Sequence, residues 1–344
     1  MEISIEIVRA GLRRQFGAAW GSVLHRELVL VVLRDGEGNV GYGEAAPLEA
    51  YDGVTVADVV RELRACRPAL EGTSGFDAAR VRAYCAQLTI LPQALAAIDL
   101  ALWDLAGRRA GQPVWRLLGA DAARPVALNY TIAASHRAGA AREAAIARAG
   151  GYACIKMKVA VGDDAARLAA VRATVGPETA IRLDANGGWS PEEARAALRV
   201  LAAAGLELCE EPVSGVDAIG ALAASTDVAL AIDETAADPA ALERRVCRAV
   251  CLKVARCGGI SGLLEAAARA RRAGYELYVA STLDGPLGIA AALHAAAAIG
   301  PDRPCGLATL ALFKRSVPAL TVNRGQLRPP DGPGLGTGLV GWYR

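Results

Sequence analysis

Five short apolar runs recur at regular intervals in the middle of the chain, and an alanine-rich stretch with helical spacing follows each of them. The length of each run is typical of a buried strand, and the stretches between runs are typical of amphipathic helices. Consecutive strand and helix units form a parallel sheet covered by helices, most simply a barrel. The five runs are residues 153–155, 180–183, 206–209, 228–232 and 250–252.

The same alternation extends beyond these runs in both directions. A strand over 126–132 precedes a helix over 135–149, and a strand over 277–280 precedes a helix over 287–298 that begins after Gly285-Pro286. With a last short run at 305–308, the count is seven β/α units and one further strand. The pattern therefore predicts an α/β fold built on a modified TIM barrel, (β/α)7β, over residues 123–317.

The first 122 residues lack this regular alternation of strand and helix and are typical of an α+β unit. We expect strands over 3–8, 27–33 and 40–44 and helices over 55–70, 76–87 and 92–109. The tail over 318–344 is rich in turns and strand-like residues, and we expect it to fold back onto the first unit. The predicted architecture is thus a barrel with an N-terminal α+β capping domain (1–122) that the C-terminal tail completes.

A charged residue stands at the end of each of the five apolar runs. Because the carboxyl ends of barrel strands meet at one mouth, these side chains are expected to converge there. The three acids supply oxygen ligands without imidazole or thiolate, which favours Mg²⁺, with Mn²⁺ as an alternative occupant. In chain order the five residues are Lys158, Asp184, Glu210, Asp233 and Lys253.

The lysines suit proton transfer beside such a metal. A bound metal that holds a substrate carboxylate acidifies the neighbouring carbon and stabilises the resulting enediolate. Lys156 and Lys158 lie two residues apart and share one face of their strand, so Lys156 is expected to lower the pKa of Lys158 and make it a base. Lys253 arrives from the opposite side of the mouth, where it can move a proton or hold negative charge.

Composition narrows the class of protein. The 344 residues are 53 % hydrophobic and 22 % charged, with a net charge of +2, and this gives no general attraction to nucleic acid or membrane. The alternating N-terminus is unlike a signal peptide, so a cytoplasmic enzyme acting on a small carboxylate is expected. The eight cysteines form no Cys-x-x-Cys pair, and we interpret them as buried, reduced residues rather than a thiol metal site. A homo-oligomer is compatible with these features.

The ordered motifs resemble those of the enolase superfamily, muconate-lactonizing subgroup. The resemblance rests on Lys156-Met157-Lys158, Asp184-Ala185-Asn186, Glu210-Glu211-Pro212, Asp233-Glu234 and the segment from Lys253 to Gly259. It implies that Asp184, Glu210 and Asp233 bind Mg²⁺ and that Lys158 and Lys253 are the acid/base pair. It also implies that Asn186 and Glu234 support these groups and that Arg256 braces the loop after Lys253.

The subgroup contains several reactions that share this machinery. Dipeptide epimerases place an Asp-x-Asp pair after the last barrel strand to bind the substrate ammonium, whereas residues 305–310 here contain no carboxylate. This segment, with Gly306, resembles that of o-succinylbenzoate synthases. We therefore expect a dehydration to o-succinylbenzoate in menaquinone synthesis, in which Lys158 removes the proton and Lys253 stabilises the intermediate.

Three alternatives stay open. The first is N-succinylamino acid racemisation, which needs both lysines. The second is dipeptide epimerisation with a counter-ion from elsewhere, Asp284 or Asp52, and the third is a barrel that binds a ligand without catalysis. Candidate contacts from the closing cap loops are Phe16, Trp20 and Tyr51.

Overall fold

An antiparallel sheet of three strands begins the chain. In the structure, a computed structural model that describes residues 1–71 and 78–344, the strands pair in the order β1 (Glu2–Ala18), β2 (Gly21–Arg34) and β3 (Val40–Ala45). The register of β1 against β2 shifts between Gly11 and Phe16. The first two strands run well beyond their predicted ends because the polar residues of their outer halves hide the alternation. Their far ends form a hairpin that reaches the barrel.

Six helices in the described part of the chain complete the N-terminal unit. The long central helix lies so close to β3 that a Cβ atom at Gly43 would come 1.9 Å from the carbonyl oxygen of Ala97, so only glycine fits there. The predicted helix over 55–70 divides at Cys66, and residues 76 and 77 of the predicted helix over 76–87 lie outside the described residues. The helices are α1 (Glu49–Asp52), α2 (Val56–Ala65), α3 (Arg67–Glu71), α4 (Ala78–Leu88), α5 (Pro92–Ala110) and α6 (Val114–Leu117).

A parallel sheet of seven strands forms the barrel. The predicted strand over 126–132 is in two parts, β4 (Val126–Ala127) and β5 (Asn129–Ile132), and β5 begins the sheet. Each later strand pairs with its predecessor, and the segment at Cys305 and Gly306 bridges Leu128 to Ala280, which closes the ring. The (β/α)7β prediction is thus confirmed. The later strands are β6 (Cys154–Lys158), β7 (Ala180–Asp184), β8 (Leu208–Glu210), β9 (Leu230–Ile232), β10 (Ala249–Lys253) and β11 (Glu276–Ala280).

The barrel helices begin where the sequence places their capping signals. Ser190 caps its helix by accepting a hydrogen bond from the backbone N–H of Glu193, whose carboxylate accepts one from the Ser190 N–H in return. The bounds of the helices are α7 (Arg137–Ala149), α8 (Asp164–Val175), α9 (Pro191–Leu201), α10 (Val216–Ala223), α11 (Pro239–Glu243), α12 (Gly259–Ala273) and α13 (Pro286–Ile299).

The C-terminal tail joins both parts of the molecule. Its strand β12 (Gln326–Leu327) pairs with β4, and the Leu335 N–H donates to Asp104 of α5 across 2.7 Å. His294 of α13 accepts a hydrogen bond from the Trp115 N–H at 3.1 Å and lies 3.2 Å from the Leu335 carbonyl oxygen. The tail therefore contacts helices of the N-terminal unit. Within the described residues, no helix has the length and apolarity needed to cross a bilayer.

Candidate active site

The five predicted charges meet at one mouth of the barrel. Lys158, Asp184 and Glu210 end adjacent strands and lie side by side in the sheet register. Asp233 directly follows β9, and Lys253 ends β10. All five are buried, with at most 6 % of the residue exposed. Since β6 and β10 are four positions apart in a ring of eight, their lysines enter from opposite sides of the mouth.

Lysine ammonium groups neutralise the carboxylates on the β6 side. Lys156 Nζ lies 2.7 Å from Asp184 Oδ2 and 2.8 Å from Glu210 Oε1, and Lys158 Nζ lies 2.6 Å from Asp184 Oδ2. Burial works to raise the pKa of Asp184, but the two lysines outweigh it and hold that pKa below its ordinary value. Lys156 thus serves as a bridge between two predicted ligands, a contact that the sequence prediction, which made it a neighbour acting on Lys158, did not include.

A residue of the cap covers Lys253 on the other side. Lys253 Nζ lies 2.5 Å from Asp233 Oδ2 and 2.7 Å from Tyr51 Oη, and it also lies 4.6 Å from the centre of the Tyr51 ring. Burial works to lower the pKa of Lys253, but Asp233 and the groups around it raise that pKa well above its ordinary value. The Arg256 guanidinium lies 5.2 Å from the centre of the same ring, so Arg256 contacts the cap tyrosine.

The predicted supporting residues form a short chain of hydrogen bonds. Asn186 Oδ1 accepts from Lys158 at 2.6 Å, and its amide nitrogen donates to Glu234 Oε1 at 2.8 Å. Burial and the nearby Asp233 charge raise the pKa of Glu234 to about 7. Glu211, a motif residue to which the sequence assigned no role, accepts from the backbone N–H of Asp233 at 2.7 Å and thereby holds the loop after β9.

A second layer of side chains lies directly beneath the mouth. Tyr278 donates to Glu210 Oε2 at 2.8 Å, and the Arg182 guanidinium lies 4.6 Å from the centre of the Tyr278 ring. Cys251 is paired with Tyr278 in the register of β10 and β11. The sequence predictions placed neither Tyr278 nor Cys251 in the site. The two-residue period of a strand nevertheless puts Cys251 on the same face as Lys253.

The acids fit a hard divalent cation. They offer carboxylate oxygens at adjacent strand ends, which is the donor type that Mg²⁺ prefers. Asp233 Oδ1 is buried and has no hydrogen-bond partner among the residues that the structure describes. A buried carboxylate oxygen without a partner is costly, and a cation ligand would satisfy it. We propose that Asp184, Glu210 and Asp233 are the residues that would hold the ion.

A cavity opens above these charges, and the cap closes one side of it. Phe16, Trp20, Leu48 and Tyr51 line it from the cap, which agrees with the predicted role of the hairpin and the following loop. Facing them across the mouth are Thr131, Ser281, Thr282, Gly306 and Thr309 together with residues of the charged group. No aspartate or glutamate is among the described residues that line this cavity.

The predicted counter-ions of a substrate ammonium lie away from the cavity. Asp284 is buried behind the wall, where its Oδ1 accepts from the Thr282 hydroxyl at 2.6 Å, and it does not line the cavity. Asp52 accepts from Gln93 at 2.8 Å and is likewise absent from the lining. Asp284 thus does not line the cavity in this structure, and its contribution to substrate binding stays a prediction.

Comparison with known proteins gives relatives with several activities. N-succinyl-L-Arg/Lys racemase of Bacillus cereus is 30 % identical over 86 % of this chain and 83 % of its own length. An o-succinylbenzoate synthase of Mycobacterium bovis is 43 % identical, but over only 50 % of this chain and 54 % of its own. Among solved structures, the dipeptide epimerase of Enterococcus faecalis complexed with Mg and L-Leu-L-Tyr superposes with a TM-score of 0.89 at 26 % identity, covering 97 % of this chain and 98 % of that one.

Family profiles match both parts of the chain. Residues 2–119 match the N-terminal domain of the mandelate racemase / muconate lactonizing enzyme family, and residues 139–340 match the enolase C-terminal domain-like family. The two matches agree with the cap and barrel described above and with the strand-end charges. The chain therefore belongs to the enolase superfamily, in the group of the mandelate racemase and muconate lactonizing enzymes.

Proposed function

We propose that this protein is a Mg²⁺-dependent racemase that inverts the carbon next to the carboxylate of an N-acylated amino acid, with N-succinylamino acids as the substrate class. Two features of the mouth carry the proposal. Lys158 and Lys253 enter the mouth from opposite sides, and the described cavity lining offers no carboxylate to a free substrate ammonium. The first feature suits inversion, and the second suits a substrate whose nitrogen is acylated.

The two lysines divide the proton transfer between the faces of the reacting carbon. One lysine removes the proton from one face, and the other delivers a proton to the opposite face, which produces the mirror-image product. In the reverse direction the roles exchange. Mg²⁺ bound by Asp184, Glu210 and Asp233 would hold the substrate carboxylate and stabilise the negative charge that develops on it.

The lining of the cavity supports an acylated substrate over a dipeptide. A cationic amine buried here would lack a counter-charge and would lie near three lysine ammonium groups, which is unfavourable. A neutral amide with an acidic acyl arm instead finds hydroxyl donors at Thr131, Ser281 and Thr309. The Bacillus cereus relative, which matches most of this chain, is a racemase of N-succinylated amino acids and supports the same substrate class.

Dehydration to o-succinylbenzoate is the second candidate. It was the main expectation from the sequence, and the 43 % identity to the Mycobacterium bovis synthase favours it, although that match spans half of the chain. In this reaction Lys158 alone removes the proton and Lys253 stays protonated beside the intermediate. The relatives that match most of the chain favour racemisation or epimerisation instead, so dehydration takes second place.

A substrate panel tests the proposal. Purified protein with Mg²⁺ is given N-succinylamino acids, the corresponding dipeptides with a free amino group, and the cyclohexadiene hydroxy-carboxylate precursor of o-succinylbenzoate. We expect inversion of the N-succinylamino acids, followed by circular dichroism or chiral chromatography, with the free dipeptides much poorer. Inversion of the dipeptides alone, or o-succinylbenzoate formation without racemisation, would contradict the proposal.

A further inference from the structure

A thiol lies beside two of the proposed magnesium ligands. The sulfur of Cys251 and one carboxylate oxygen each of Glu210 and Asp233 all lie within 4.8 Å of one another. Cys251 is 2 % exposed, and its strand neighbour in β11 is Tyr278, the residue that orients Glu210. The thiol therefore points into the barrel, toward the ligands, from a rigid strand.

An independent observation indicates that this spot accepts a ligand. Asp233 is 3 % exposed, yet its Oδ1 has no hydrogen-bond partner within the described part of the chain. Its other oxygen is occupied by Lys253. A buried carboxylate oxygen without a partner is costly in the protein alone, and a cation held by the cluster to which Asp233 and the thiol belong would satisfy it.

We propose that Cys251 is a sulfur ligand, and that Glu210, Asp233 and Cys251 bind a thiophilic divalent cation such as Cd²⁺ at a position that overlaps the magnesium site. On binding, the S–H bond breaks, the sulfur–metal bond forms, and the proton leaves to solvent. Mg²⁺ is a hard ion that does not take thiolate, whereas soft and borderline ions do. The proposal rests on the metal site of the proposed function and not on its substrate.

The consequence is a site whose metal preference differs from that of an all-carboxylate site. Two oxygens and one sulfur form a mixed donor set, so Cd²⁺ or Zn²⁺ competes with Mg²⁺ at the mouth. Cys251 stands two residues before Lys253 in β10 and does not line the cavity that would hold the substrate. Cys251 is thus a determinant of metal selectivity that proton transfer itself does not require.

The test is a titration of the purified protein with Cd²⁺ in the absence of substrate. Binding is followed by the sulfur-to-metal charge-transfer absorption in the ultraviolet, a signal that carboxylates do not give. The variant is Cys251→Ser, and the matched control is Cys209→Ser, since Cys209 adjoins Glu210 in β8 but faces the other side of the sheet. We expect the control to keep the absorption and Cys251→Ser to lose it, with a Cd²⁺ affinity at least about tenfold lower.

Competition supplies the second measurement. Excess Mg²⁺ is expected to abolish the Cys251-dependent absorption, because the two ions share Glu210 and Asp233. An absorption that persists in Cys251→Ser, or that excess Mg²⁺ leaves unchanged, would overturn the proposal. If the serine variant does not fold, Cys251→Ala is measured in the same way. None of these readouts uses a substrate, so a wrong substrate assignment would leave the result intact.

Discussion

Tyr278 donates its phenolic hydrogen to Glu210 Oε2 across 2.8 Å in the fully buried centre of the barrel. The two residues come from β11 and β8, so the bond spans the interior and fixes the orientation of a proposed metal ligand. Beneath the ring, the Arg182 guanidinium lies 4.6 Å from its centre. Partners of this kind set the direction of a ligand's free oxygen and so contribute to metal affinity.

Replacement of Tyr278 by Phe should weaken Mg²⁺ binding about tenfold, because Glu210 loses the hydrogen bond that orients it. Isothermal titration with Mg²⁺ measures the change. The control is Tyr275→Phe, since the Tyr275 hydroxyl is also buried but accepts from the Val246 N–H, away from the mouth. Equal Mg²⁺ affinity in Tyr278→Phe and the unaltered protein would show that the bond does not position Glu210.

Replacement of Tyr51 by Phe should lower kcat/KM about tenfold. The change removes a hydroxyl 2.7 Å from Lys253 Nζ and keeps the ring, and a hydrogen bond to a charged group contributes about 1.5–3 kcal/mol. Steady-state kinetics on the preferred substrate measure the effect. Tyr42→Phe is the matched control, because Tyr42 is a cap tyrosine outside the cavity lining. Unchanged kinetics in Tyr51→Phe would show that this cap residue does not contribute to proton transfer.

The stability of the fold should fall in acid because of His294. Burial lowers its pKa from 6.5 to about 4, so the folded protein keeps the imidazole neutral while the unfolded chain binds a proton. The contribution is therefore fully present above pH 6.5 and is lost as the pH falls towards 4. The fall in pKa corresponds to a loss of up to roughly 3 kcal/mol.

Urea unfolding between these pH values measures that loss. In His294→Gln, which keeps a donor and an acceptor for Leu335 and Trp115, the free energy of unfolding should depend less steeply on pH. His25→Gln, at an exposed position, should keep the slope of the unaltered protein. If the free energy of unfolding depended equally on pH in His294→Gln and in the unaltered protein, groups other than His294 would cause the loss of stability in acid.

Much of the site could be predicted because strand ends are local features. Lys158, Asp184 and Lys253 each follow an apolar run, and parallel strands bring such ends together whatever lies between them. The contact of Tyr51 with Lys253 could not be predicted, since it depends on how the cap packs against the barrel. The two residues are 202 positions apart in sequence. The burial of Asp284 could not be predicted either, because Asp284 lies in a turn, where no regular strand period sets the direction of its side chain.

All eight cysteines are free, and seven of them are buried, as composition and spacing predicted. The position of Cys251 beside Glu210 and Asp233 could not be predicted from the spacing of cysteines alone. The strand period was sufficient to place Cys251 on the face of Lys253. The depth of an inward-facing side chain along the barrel axis depends on the stagger of the strands. The sequence does not show this stagger directly, so it does not show which side chain lies level with the proposed metal ligands.

The central claim is that two lysines act on opposite faces of one carbon. Its most direct measurement is the exchange of the α-proton of each enantiomer of an N-succinylamino acid in D₂O, followed by NMR, with Lys314→Ala as an exposed-lysine control. We predict that Lys158→Ala loses exchange at least about 100-fold with one enantiomer only, and Lys253→Ala with the other only. Loss of exchange with the same enantiomer in both variants, or inversion that survives in Lys253→Ala, would contradict the claim.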